Sequence, residues 1–400
     1  MTRQAAIPRY RVHHGPDIFS AGFRPFFLLA ALWAAVAVPV WLVAYLTGLV
    51  PPSAFPAIIW HAHEMVYGYG AAAVAGFLLT AIPNWTGRMP LQGWSLAMLV
   101  VLWVIGRLAV LLSALVGTPL ATVADLMFPA VFLLVVAREI VAGRNWRNLP
   151  MLIALSLLLI GNLLVHLESL GVAETAQIGN RLGIGVLLAL ISLVGGRIIP
   201  SFTRNWLTKN VPDVASPSSA SRADLVALII TVMGIAAWVL APETRATAYL
   251  ELMAGLAAAW RLSRWRGPRT LAEPLVTVLH VGYGWLAAGL LLLGFNGLVP
   301  LFPATTALHA LTVGAIGTMT LAVMTRATLG HTGRPLSATG TTAILYGLVS
   351  VAAVLRLAAP FTGSEMALLL SLAGTAWCLA FLLYLAVYGP MLVRARATRD

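Results

Sequence analysis

Apolar runs of about twenty residues, each closed by proline, glycine or a short basic patch, recur along the whole chain. A membrane span needs about 20 mainly apolar residues. The pattern predicts twelve spans, over roughly 24–48, 58–82, 93–116, 119–141, 149–170, 177–200, 223–241, 244–262, 273–297, 302–325, 338–358 and 365–391. Pro51–Pro52, Pro83, Pro150, Pro200, Pro242, Pro303 and Pro360 punctuate them. The predicted fold class is therefore all-α, a polytopic membrane helix bundle of about twelve transmembrane helices. Its parts are an N-terminal tail at 1–23, a transmembrane domain at 24–392 and a C-terminal tail at 393–400. Residues 201–222, rich in Ser and Pro, form the one sizeable polar connection and read as a flexible inner linker. No internal repeat is visible.

Composition agrees. The hydrophobic fraction is 60%, only 10% of residues are charged, and the mean hydropathy is +0.91. A soluble domain has about 25% charged residues, so a soluble enzyme is excluded, as is disorder. The single cysteine, Cys378, excludes a disulfide scaffold, Cys-ligated iron–sulfur clusters, Cys-based zinc fingers and covalent c-type haem.

The net charge of +12 does not point to nucleic acid, because the basic residues fall in short patches between apolar runs. With the N-terminus placed inside, all of the 25 Lys and Arg except Arg107, Arg181, Arg245 and Arg356 fall at inner segments. That is a positive-inside pattern with both termini cytoplasmic. Residues 1–23 are polar and show no signal peptide.

Ionisable groups within a bilayer are expensive and point to function. Of eight histidines, His13 and His14 lie in the tail and His331 in an inner loop, where solvation is the simple reading. His61, His63, His166, His280 and His309 fall within predicted spans. At 1.5 Å per residue, His61, His63, His166 and His309 share an outer layer of the membrane, and His280 lies deeper. On a straight helix His61 shares a face with Glu64, Met65 and Gly68, and His63 shares the opposite one with Tyr67 and Gly70. The pair can therefore serve two sites, or one site and a packed imidazole. Imidazole suits haem iron and copper alike.

Each position has a plainer alternative. His166 can pair with Asn162 one turn earlier, and His280 can be a core histidine near Thr277 and Tyr283. The small residues Gly68, Gly70 and Gly76, and Gly314 with Gly317, let a flat macrocycle approach, or let helices pack closely. Arg24 could meet a haem propionate or lipid phosphate, or simply anchor topology. Arg107 and Asp125 lie at comparable depth and are a candidate ion pair. No Walker A, H-E-x-x-H, dinucleotide fingerprint or voltage-sensor Arg series is present.

Several stretches carry a family resemblance. They are Gly22–Phe27, Trp60–Met65 (WHAHEM), Gly76–Gly87 (GFLLTAIPNWTG), Leu308–Gly317 (LHALTVGAIG), Met324–Arg326 and Gly330–Leu336 (GHTGRPL). In these the chain resembles the NnrS family of bacterial inner-membrane proteins. The resemblance implies twelve helices, haem and copper binding, and a role in resisting nitric oxide in denitrifying or nitrosative metabolism. A haem here would be non-covalent, b-type. The expected cofactor ligands are His61, His63, His280 and His309, and the expected metal set is His61, His63, Glu64, His166 and His309. Expected partners are nitric oxide, the lipid bilayer and a quinol or other electron donor, with no nucleic acid. Haem–copper oxidases and nitric oxide reductases share the helix number and outer-layer histidines, but no span here holds an adjacent His pair.

Two rival readings remain at this stage. A membrane redox enzyme would consume nitric oxide or oxygen with a quinol donor. A twelve-helix transporter would be colourless, with a flux dependent on Glu64 or Asp125.

Overall fold

The computed structural model describes residues 15–211, 217 and 221–397. His13 and His14 lie outside them, as does much of the expected linker. Among the described residues there is no strand, and twelve long helices form the molecule. These are α1 (Phe23–Thr47), α2 (Ala57–Thr86), α3 (Trp94–Leu111), α4 (Thr118–Ala142), α5 (Leu149–Ser169) and α6 (Ala176–Asn210). They continue with α7 (Arg222–Leu240), α8 (Arg245–Ser263), α9 (Pro274–Leu298), α10 (Ala304–His331), α11 (Gly340–Ala358) and α12 (Met366–Val393). A single turn, Ser113–Val116, follows α3.

Eleven of these helices are long and apolar enough to cross a membrane. The exception is α8, which carries Arg245, Glu251 and Arg261; it packs between α7 and α9.

Local chemistry sets the ends. Gly48 and Gly87 take left-handed conformations that close α1 and α2. Ser221, Thr244 and Thr339 cap α7, α8 and α11 through their side chains. Proline does not always stop a helix here: Pro39, Pro83, Pro129, Pro200 and Pro390 lie inside helices. In a bundle, neighbouring helices and side chains re-satisfy the freed backbone groups.

Two expectations change as a result. Helix α6 runs through Pro200 to Asn210, so the first half of the expected linker is helix. Its 35 residues span about 52 Å, well beyond the ~30 Å apolar core of a bilayer. Helix α10 likewise continues to His331, which is its last residue rather than a loop residue and sits 5.4 Å from the Phe23 ring.

Helix α1 packs against both α2 and α12. Arg24, at the start of α1, donates to the carbonyls of Leu392 (2.9 Å) and Arg394 (2.6 Å) at the end of α12. The guanidinium is thus spent on helix-end carbonyls, and the two ends of the described chain share one face. The opposite face, where α1 ends and α2 begins, is called the far face below.

The α-helical ladder is broken twice. In α2, Glu64–Gly70 form a wide turn with π-helical hydrogen bonding, and in α10 Ala310–Gly317 do the same. Each follows directly on a histidine, His63 and His309. Such turns insert backbone into a helix and are frequent at functional sites.

Candidate functional site

The membrane histidines separate into two groups, with His280 in neither. Helix α2 divides them, because His61 and His63 leave it on different sides.

His63 enters a fully buried polar network held by four helices. Glu64 (α2), Arg107 (α3), Asp125 (α4), and Asn162 and His166 (α5) complete it, and all are buried. Arg107 donates to Glu64 Oε1 at 2.8 Å and to Asp125 Oδ1. The ion pair anticipated between Arg107 and Asp125 is therefore present. Asp125 Oδ2 accepts from Asn162 Nδ2 and faces His166 Nε2, both at 2.9 Å. Thr122 Oγ1 lies 3.1 Å from His166 Nδ1. The Phe55 ring covers both imidazoles edge-on, at 5.1 and 5.3 Å.

The two contacts of the His63 ring point to its protonation. His63 Nδ1 faces Glu64 Oε1 at 2.9 Å, and its Nε2 faces Asn162 Oδ1 at 2.8 Å. Both partners are acceptors, since the Asn162 amide nitrogen already donates to Asp125. Only an imidazolium donates from both nitrogens. Arg107 and the His63 imidazolium then face the carboxylates of Glu64 and Asp125, a pairing that a bilayer interior demands because an unpaired charge there is costly.

Glu64 therefore joins His63 rather than His61, against the face assignment of a straight helix. The wide turn begins at Glu64, and from there the 100° step no longer applies. His166 pairs with Asp125 and Thr122, while Asn162 serves His63 and Asp125. The four-residue spacing pointed to Asn162 only as a partner of His166, which the structure does not pair with it; nothing in the sequence pointed to Thr122.

His63, Asp125 and His166 offer donor atoms that lie within 4.8 Å of one another. Imidazole and carboxylate form a donor set that copper accepts. In this arrangement, however, each of those atoms already has a hydrogen-bond partner. A copper ion held there would take the place of hydrogen bonds in the network.

On the other side of α2, His61 lines a cavity of about 340 Å³ between α1, α2, α6, α10, α11 and α12. Small-molecule and cofactor sites run from about 300 to 1,000 Å³. His309 lines the same cavity from α10. The wall is otherwise mostly apolar, with Val38, Leu42, Met65, Leu187, Ile316, Leu370 and the rings of Trp41, Tyr69 and Trp377. Trp41 stacks on His61 at 4.4 Å and 24°. His61 Nδ1 is buried with no hydrogen-bond partner. His309 Nδ1 donates to the Thr305 carbonyl at 2.6 Å, which leaves Nε2 as the ring's lone-pair nitrogen. Metal-bound histidines are typically held this way. An orphaned imidazole nitrogen and an oriented one, on an apolar cavity wall, fit a flat metallo-macrocycle.

The small residues beside these histidines have a different duty. A Cβ on Gly68 would strike Trp33, one on Gly314 would strike Trp285, and one on Gly317 would strike Trp377, each at 2.6 Å. They admit neighbouring side chains, which is the close-packing alternative.

His280 stands apart on α9. Its Nε2 lies 2.9 Å from Thr203 Oγ1 of α6, not against Thr277 or Tyr283. Tyr283 instead receives a hydrogen bond from Arg261 at 2.8 Å.

No curated protein matches the chain. The family model described as NnrS protein matches residues 17–396, a stretch that contains both the charge network and the cavity. By that match, over nearly its whole length, the chain belongs to the NnrS family.

Proposed function

We propose that the protein is an inner-membrane haem protein of the bacterial defence against nitric oxide, with a b-type haem in the cavity between His61 and His309. The observation that carries this reading is the pair of available imidazoles, from separate helices, on one apolar cavity. Membership of the NnrS family supports the link to nitric oxide, and the positive-inside pattern supports a periplasmic far face.

Bound haem would supply an iron able to bind nitric oxide. The chain's own groups do the rest. The Thr305 carbonyl fixes the tautomer and direction of His309. Trp41 fixes the plane of His61, whose ring has no hydrogen bond to hold its direction. His309 would therefore hold the haem more firmly than His61. The aliphatic wall keeps water out and admits a small apolar gas. The charge network contributes by locking α2, the helix that carries His61, to α3, α4 and α5.

The test is a pyridine haemochrome assay and optical spectrum of purified wild type, His61→Ala, His309→Ala and His280→Ala. Haem content is expected to fall in the first two variants, furthest in His309→Ala, and to stay at the wild-type level in His280→Ala. Unchanged haem in both cavity variants refutes the ligand assignment. A colourless wild type favours a transporter, and steady nitric oxide consumption with a quinol donor favours a reductase.

A further inference from the structure

The same cavity holds a cation that the ligand pair does not use. Arg356 lies two residues before the end of α11 at the far face and lines the cavity. Its Nε and Nη1 are buried without a hydrogen-bond partner. No Asp or Glu lines the cavity. A guanidinium with buried, unsatisfied donors in apolar surroundings is unfavourable unless an anion completes it.

The depth of the cavity orders its chemistry. Tyr45, Ile58 and Arg356 lie at the far-face ends of α1, α2 and α11 and form the rim. His61 and His309 come within the first two turns of α2 and α10. Tyr69 and Ile316 form the floor, each twelve residues into its helix, or about 18 Å down. The gradient runs from cation to imidazole to hydrocarbon.

We infer that Arg356 is the specificity determinant of this site: it binds the carboxylate edge of an amphipathic macrocycle, a haem propionate, and so orients the apolar edge toward the floor. The inference rests on the haem reading above. Guanidinium and carboxylate match as paired parallel donors and acceptors, which a lone ammonium does not reproduce. Arg24, the other candidate for a propionate, is excluded because helix-end carbonyls occupy it.

The experiment uses full-length protein purified without haem and titrated with zinc protoporphyrin IX or its dimethyl ester. Quenching of tryptophan emission is the readout, since Trp41 and Trp377 line the cavity. Wild type should prefer the free acid by roughly tenfold or more. Arg356→Gln should bind acid and ester alike, and Arg356→Lys should recover part of the preference. Arg181→Gln is the control, because Arg181 also buries an unpartnered Nε but does not line the cavity; it should keep the full preference.

If Arg356→Gln keeps the preference, the inference falls while the haem reading stands; a guanidinium serving only lipid phosphate would give that result. Loss of the preference in Arg181→Gln as well would also overturn it. If wild type binds neither porphyrin, the haem reading fails and takes the inference with it.

Discussion

Asp125 is the residue on which the buried network turns, since Arg107, Asn162, His63 and His166 all converge on its two oxygens. A buried charge pair adds little net stability compared with apolar packing, but removing one partner strands the other. Asp125→Asn and Arg107→Met should each lower stability by about 3–5 kcal/mol. The double variant should lose clearly less than the sum of the two. Thermal melts of the purified protein in detergent give the comparison, and strict additivity would mean that the pair is not coupled. His61 and His63 show the same principle of partners at close range. Two residues apart, His63 meets a buried polar network and His61 a mostly apolar cavity.

At the scale of the element, the wide turns in α2 and α10 matter most. Each adds backbone just below a histidine, so the helix before the turn is rotated relative to the helix after it. Deleting Val313 should restore ordinary helical spacing and turn His309 by about 100° against the rest of α10. Membrane insertion and expression should persist while the Soret band disappears; a retained band would show that the turn does not aim His309. Helix α6 extends past Pro200 for a related reason. Within a bundle the lost backbone hydrogen bond can be offset by neighbours, so proline punctuation overstates how often a membrane helix ends.

At the scale of the whole molecule, the start of α1 and the end of α12 meet through Arg24. The cavity's His61, His309 and Arg356 lie toward the other face. We propose, from the positive-inside pattern of the basic patches, that the shared end is cytoplasmic. A fluorescent protein fused after Arg396 should therefore fluoresce, and alkaline phosphatase inserted at Pro300 should be active. The reverse pattern would put the cavity on the cytoplasmic side and remove periplasmic access to it. The surface facing lipid is paved with residues such as Leu115, Leu120, Leu134 and Leu256, so contacts between helices rest on packing and polar pairing rather than on exclusion of water.

The periodicity of apolar runs was enough to determine the number of long helices and nearly all their boundaries. Each of those is a local property, read from about twenty residues against a bilayer of fixed thickness. The same reasoning exposed His61, His63, His166 and His309, because an ionisable group in an apolar run stands out alone. Apart from the Arg107–Asp125 pair, which comparable depth suggested, partnership was beyond it. Glu64 against His63, Asn162 against Asp125, and His61 across from His309 are contacts between helices whose rotation is set by packing and by two interrupted turns. Only the assembled bundle could decide which imidazoles are spent on hydrogen bonds and which keep a nitrogen free for a ligand.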